Sequence, residues 1–106
     1  MMPEEKFAFD YFIFNILEAY YQAGEFERAR EISNLFADRL DEQLAYYRKF
    51  KGDKRSFVQN EVTAASQYYG NLLNLMAQYD PEVEGNDPQN TPLFKRYVEA
   101  ISPFRG

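Results

Sequence analysis

Apolar residues recur along most of this chain at the three- and four-residue spacing of an α-helix. The densest stretch is residues 7–21, where twelve of fifteen residues are apolar and only Asp10, Asn15 and Glu18 interrupt them. A surface helix needs one apolar stripe, and this stretch has more than one. We therefore predict that the first helix, over residues 3–23, is covered by neighbouring helices or presents a spare apolar face to a partner.

Two further long helices follow from the same spacing. The second, over residues 25–51, carries an apolar stripe made up of Phe26, Ala29, Ile32, Phe36, Leu40, Leu44 and Tyr47. The third, over residues 54–79, alternates steps of four and three through Val58, Val62, Ala65, Tyr69, Leu72, Met76 and Tyr79. Such a stripe favours a neighbour packed nearly antiparallel along its whole length. Gly70 within it predicts a close helix crossing or a weak point, because glycine costs about 1 kcal/mol relative to alanine.

Glycine and proline mark the breaks between these helices. Gly24 can adopt the left-handed conformation that ends a helix, so the first two helices are predicted to form a tight hairpin. A proline ends the third helix before an acidic loop over residues 80–91, and a short helix follows over residues 92–101. The predicted fold is all-α: an antiparallel bundle of three long helices and a short C-terminal helix, in one domain over residues 1–106.

Composition excludes most catalytic chemistry. The chain has no cysteine and no histidine, so it lacks disulfides, thiolate nucleophiles, the commonest general base and the commonest transition-metal ligand. We predict that it is not an enzyme and holds no cofactor.

Its formal charge of −5 opposes nucleic-acid binding, which depends on cations that neutralise phosphates. Without an apolar run of about 18 residues or a signal-peptide pattern, it is expected to be soluble.

The acidic loop imitates a calcium-binding loop in part. Asp80, Glu82, Glu84 and Gly85 stand at the first, third, fifth and sixth places of such a loop. Thr91 replaces the bidentate glutamate of the twelfth place, where calcium affinity is decided. We therefore predict a solvated connector and no metal site.

Three tyrosine pairs stand one in each long helix, at residues 20–21, 46–47 and 68–69. Adjacent helical residues point about 100° apart, so one member of each pair is predicted to enter the core and the other to lie at its margin. Packing explains the pairs, and the alternative is an aromatic groove for a peptide or a sugar. The predicted recognition surface combines this margin with the spare face of the first helix, chiefly Phe9, Phe12, Tyr20, Tyr46 and Tyr68.

A basic cluster stands where the second helix gives way to the third, formed by Arg48, Lys49, Lys51, Lys54 and Arg55. Compensation of the helix dipole and a solvated turn explain most of it. The alternative is contact with anionic lipid head groups, since each cation near a membrane adds about 1 kcal/mol.

The hairpin resembles one tetratricopeptide unit, whose first helix ends in tyrosine-x-x-x-glycine and whose second begins with an aromatic residue and a small residue three later. Tyr20, Gly24, Phe26 and Ala29 occupy those places. Ile13 stands where the family carries its tryptophan, and no proline closes the repeat. The second helix is therefore expected to run longer than in that family.

A second resemblance covers more of the chain. It rests on Tyr-Tyr-Gln-Ala-Gly-Glu at 20–25, Arg-Ala-Arg at 28–30, Leu-Ala-Tyr-Tyr at 44–47 and Leu-Leu at 72–73. These look like the soluble C-terminal region of a bacterial family of multi-spanning membrane proteins similar to protein O-mannosyltransferases. The resemblance implies an excised tail without the transferase residues, held beside the membrane at its periplasmic face.

The expected function is accordingly that of a non-catalytic interaction or accessory domain of a membrane-embedded glycosyltransferase-like protein. Its partner would be another protein or the preceding segment of the parent chain. The alternative is a stand-alone helical adaptor that homodimerises through its first helix.

Overall fold

The computed structural model describes residues 3–50 and 52–105, with side chains from residue 12 onward. These residues form four α-helices and no strand, which confirms the all-α prediction. The helices are α1 (Pro3–Gln22), α2 (Phe26–Arg48), α3 (Ser56–Tyr79) and α4 (Phe94–Ile101), with short 3-10 helices at Glu84–Asn86, Pro88–Asn90 and Ser102–Phe104. None of the described helices combines the length and the apolar character needed to cross a membrane.

The connection between α1 and α2 is a Schellman turn centred on Gly24. The amide of Glu25 donates to the Tyr20 carbonyl at 2.9 Å, and the amide of Gly24 donates to the Tyr21 carbonyl at 3.0 Å. Gly24 has a φ of 79°, in the region that favours glycine. The turn satisfies the last carbonyls of α1 and lets α2 begin at Phe26.

A single core joins the helices. Helices α1, α2 and α3 each contact the other two, and α4 packs against α2 and α3. The largest fully buried side chains are Leu17, Leu40, Leu44, Tyr69, Leu72, Met76 and Leu93. Each large apolar side chain buried in this way contributes roughly 1.5–3 kcal/mol of transfer free energy. Ala29 is fully buried, and its small side chain allows α2 to approach its neighbours closely.

Both tyrosines of the third pair are buried, so the prediction that one of them lies at the core margin is wrong. Tyr68 is 9 % exposed and Tyr69 is fully buried. The ring of Phe14 in α1 lies 6.0 Å from that of Tyr68, and the ring of Tyr97 in α4 lies 5.2 Å from that of Tyr69. Because neighbours cover α3 on two sides, adjacent residues about 100° apart both enter the core.

An ion-pair network holds α4 against α2. Arg96 Nη2 contacts Asp38 Oδ1 and Asp41 Oδ2, each at 2.6 Å. The Tyr69 hydroxyl lies near this network. Burial is the largest cause that raises its pKa, and the charge of Asp41 is the second. In the described part of the chain, the Tyr69 hydroxyl and Asp41 Oδ1 are the buried side-chain polar atoms without a hydrogen-bond partner.

The connection over residues 80–91 contains two short 3-10 helices and is anchored at several points. Asn86 Nδ2 donates to the Ala77 carbonyl at 2.8 Å, at the end of α3. Val83 and Thr91 are buried. Only part of this segment therefore matches the predicted solvated connector, since apolar contact and side-chain capping fix it to α3.

Candidate functional site

An open groove of about 1030 Å³ runs along the outer face of α3. Phe50 and Gly52 of the α2–α3 turn line one end. Tyr97 of α4 and residues 103–105 also line it. Its volume is that of pockets that hold small molecules or short peptide segments.

The floor of the groove is a stripe of uncharged hydrogen-bonding side chains. These are Gln59, Thr63, Ser66, Gln67, Asn71 and Asn74, all on one face of α3 and all exposed or half-buried. Gln59 Nε2 is held by the Asp53 carbonyl at 2.6 Å. An amide side chain presents both a donor and an acceptor, so this floor can pair with the N–H and C=O groups of a polypeptide backbone.

Gly70 lies in the middle of this floor. A Cβ built there would meet no atom within 4 Å. Gly70 therefore does not mark a close helix crossing, so that prediction from the sequence is wrong. Its lack of a side chain instead deepens the groove, at a cost in helix propensity of about 1 kcal/mol.

The walls of the groove are apolar. Val58 and Val62 of α3 line it, and so do Ile101 and Phe104. Arg105 is the one charged residue among those that line it. Such a lining suits an uncharged segment that has hydrogen-bonding groups along its backbone and apolar side chains at its edges.

Four of the residues predicted for recognition, Phe12, Tyr20, Tyr46 and Tyr68, do not come together in the structure. Phe12 on α1 is 62 % exposed and Tyr46 on α2 is 53 % exposed. Tyr20 is half-buried, with the Arg28 guanidinium 5.9 Å from its ring centre. Tyr68 lies in the core, and the side chain of Phe9 lies outside the described residues.

Phe12, Tyr20, Tyr46 and Tyr68 do not line the groove, because they were predicted from their aromatic character and the groove is floored by amides and hydroxyls. A usable signal was present in the sequence. Across the 24 residues of α3 only Glu61 is charged, although much of the helix is exposed. An exposed helical face without charges indicates a surface that contacts something other than bulk water.

A second polar constellation, the hinge cluster, is formed by Tyr21, Arg30, Asp80 and Glu82 where α1, α2 and α3 meet. Arg30 Nε and Nη2 donate to the two Asp80 carboxylate oxygens at 2.9 and 2.8 Å, and the Tyr21 hydroxyl donates to Oδ2 at 3.3 Å. The hydrogen bonds from Arg30 hold the pKa of Asp80 below its usual value, and burial raises the pKa of Tyr21 to about 12.

The buried carboxylate of the hinge cluster is satisfied internally, whereas the Glu82 side chain is 74 % exposed and lies 3.4 Å from Arg30 Nη1. Asp80 is 4 % exposed, and its Oδ1 also accepts the Glu82 amide at 2.9 Å. This engagement removes the first ligand of the calcium-like pattern. In the described part of the chain, no three carboxylates come together as a metal site would need.

A third group, the turn cluster, lies at the α2–α3 turn and consists of Tyr46, Tyr47, Lys49, Phe50, Asp53, Lys54, Arg55 and Phe57. Lys49 Nζ lies 4.3 Å from the centre of the Tyr46 ring, and the Arg55 guanidinium lies 5.0 Å from that of Phe57. Arg55 also pairs with Asp53 at 2.7 Å, which lowers the pKa of that carboxyl. Unlike the hinge cluster, this group is largely open to water.

Comparison of the chain with protein-family models, with curated proteins and with solved structures finds no match. The groove and the two clusters therefore have to be interpreted from their own chemistry.

Proposed function

We propose that this protein is a non-catalytic interaction domain that binds an uncharged polypeptide segment in the groove along α3. The observation that carries the proposal is the floor of the groove, where amide and hydroxyl side chains stand on both sides of Gly70. A segment lying on this floor would exchange its contacts with water for paired hydrogen bonds, while Val62 and Phe104 would cover its apolar side chains.

The experiment fills the groove without disturbing the fold. Random peptides displayed on phage are selected against the wild-type protein, and the enriched peptides are measured by fluorescence anisotropy. Gly70→Leu adds a good helix former that projects into the groove, and Asn34→Leu adds the same side chain to an exposed position of α2 outside it. We expect Gly70→Leu to weaken binding about tenfold or more, a loss of about 1.4 kcal/mol, and Asn34→Leu to leave it unchanged.

Two results would count against the groove. One is a selection that enriches no peptide. The other is a set of peptides that bind Gly70→Leu as tightly as the wild type but lose affinity for Phe12→Ser, which would place recognition on α1. Circular dichroism of each variant separates loss of binding from loss of fold.

We further propose that the three long helices form an antiparallel bundle of the tetratricopeptide type. The stacked rings of Tyr21 and Tyr79, 6.4 Å apart, support it, because they bring the end of α1 to the end of α3. The Schellman turn at Gly24 supports the hairpin. An experimental structure in which α1 and α3 do not both run opposite to α2 would refute this arrangement.

The parent protein proposed from the resemblance is a membrane-embedded glycosyltransferase-like protein, for which this domain would be an accessory tail beside the membrane. The coding sequence upstream of Met1 tests this directly. A reading frame that continues through many hydrophobic spans would support it, and an independent start at Met1 would refute it.

Homodimerisation through α1 is the second candidate function. Phe12 and Ile16 stand one turn apart on α1 and are 62 % and 37 % exposed. A second copy could cover this pair. Sedimentation over a wide range of concentration distinguishes the two candidates, since a monomer at every concentration would exclude the dimer, whereas a dimer abolished by Phe12→Ser would support it.

A further inference from the structure

The charge of this chain is divided unevenly between the α2–α3 turn and the rest. Residues 46–57 carry a net charge of +4, whereas the remaining residues together carry −9. An anionic surface attracts the first group and repels the second, so it would orient the molecule with this turn foremost. The same division opposes a polyanion that wraps around the whole domain.

The turn cluster combines these cations with exposed rings. Tyr46 and Phe57 are 53 % and 52 % exposed, and each has a cation over its face, Lys49 Nζ at 4.3 Å and the Arg55 guanidinium at 5.0 Å. Neither ring is needed to fill the core. Aromatic rings beside lysine and arginine are typical of surfaces that sit at the level of lipid head groups, where the ring meets apolar material and the cation meets phosphate.

We propose that the turn cluster docks the protein on an anionic membrane surface, with Lys49 and Lys54 facing lipid phosphates and the rings of Tyr46 and Phe57 entering the interface. An acidic peptide would satisfy the cations but leave both rings in water, whereas a membrane interface accommodates the rings and the cations together. This site is separate from the floor of the groove and does not depend on peptide binding there.

The test uses the whole chain and vesicles. Co-sedimentation is measured with phosphatidylcholine vesicles and with vesicles that also contain about 30 % phosphatidylserine, in about 50 mM salt, where charge attraction is weakly screened. We expect binding to the anionic vesicles alone, and we expect raised salt to reverse it.

Matched variants locate the contact. Lys49→Gln with Lys54→Gln removes two exposed cations from the turn, and Arg28→Gln with Lys95→Gln removes two exposed cations from elsewhere in the chain. At about 1 kcal/mol for each cation near the membrane, the first pair should lower the partition coefficient about tenfold or more. The second pair should leave it close to that of the wild type. Equal losses in both variants would overturn the proposal.

Insertion of the ring into the membrane can be measured by fluorescence. The chain contains no tryptophan, so a single introduced tryptophan would report without background. Phe57→Trp places one at an exposed position, and its emission should shift to shorter wavelength when anionic vesicles are added. An unshifted emission, or wild-type protein that binds a polyglutamate peptide but not the anionic vesicles, would overturn the proposal.

Discussion

The hinge cluster and the turn cluster contain the same residue types but differ in burial and in what they contribute to stability. Each pairs an arginine with an aspartate beside aromatic rings, Arg30 with Asp80 in the first and Arg55 with Asp53 in the second. The Asp80 side chain is 3 % exposed and that of Asp53 is 23 % exposed, and the corresponding arginines are 26 % and 60 % exposed. Burial makes the first pair part of the fold, because an unpaired buried charge is costly. The second pair is screened by water and contributes little to stability.

The largest difference in stability between the two clusters is expected when the aspartate of each is replaced by alanine. Asp80→Ala leaves Arg30 with only the exposed Glu82 carboxylate, 3.4 Å from its Nη1, and frees the Tyr21 hydroxyl. It should lower the free energy of unfolding by about 3 kcal/mol. Asp53→Ala removes a pair whose arginine is exposed, together with a local turn contact, and it should cost about 1 kcal/mol or less. Urea unfolding followed by circular dichroism measures both. Equal losses would mean that burial does not distinguish the two clusters.

Alkaline pH should weaken the hinge cluster next. The pKa of Tyr21 is raised from 10.0 to about 12, so the folded state favours the neutral hydroxyl. The stability that this hydroxyl contributes is complete below pH 10 and is lost as pH rises from about 10 to about 12, which amounts to about 2–3 kcal/mol. The free energy of unfolding, measured across this pH range, should therefore fall more steeply for the wild type than for Tyr21→Phe. Parallel curves would show that Tyr21 does not titrate as part of the cluster.

Replacing each arginine by lysine tests the geometry of the pairs. Arg30 makes two parallel hydrogen bonds to the Asp80 carboxylate, and a lysine would keep the charge but lose one of them. We expect Arg30→Lys to cost about 1–2 kcal/mol and Arg55→Lys to cost less than about 0.5 kcal/mol. Thermal unfolding is sufficient to compare them, and a larger loss for Arg55→Lys would reverse the assignment.

Replacing Gly24 beside the hinge cluster and Gly52 in the α2–α3 turn should cost similar amounts of stability. Equal costs would show that the two clusters differ in side-chain burial and not in backbone strain. Gly24 and Gly52 have φ values of 79° and 88°, and a Cβ at either would meet no atom within 4 Å. Alanine at either position should cost about 1 kcal/mol, because only the left-handed backbone opposes it. A much larger loss at Gly24, measured by urea unfolding, would indicate an additional steric constraint at the hinge.

The smallest effect is expected for the exposed rings of the turn cluster. Phe57→Ser should change the free energy of unfolding by less than about 0.5 kcal/mol, because Phe57 is 52 % exposed. Urea unfolding tests it, with buried Phe36→Ser as the contrasting variant. A large loss at Phe57 would mean that this ring supports the fold and is not reserved for a partner.

Local rules explain how much of the fold could be predicted. The helix at each predicted place needed only apolar spacing, and the break after α1 needed only a glycine able to take a positive φ at residue 24. The aromatic residues were harder to assign. Apolar spacing identified Phe12 and Tyr46 as well as Tyr68, but it could not separate the first two, which are exposed, from the last, which is buried.

The sequence by itself determined that the chain is helical, that it turns at Gly24 and that cations collect between α2 and α3, because each of these depends on neighbours along the chain. Only the tertiary structure decided that Asp80 pairs with Arg30, fifty residues away, and that Gly70 opens into a groove. Both outcomes depend on which faces of α2, α3 and α4 meet, and that choice is made by the packing of the whole core.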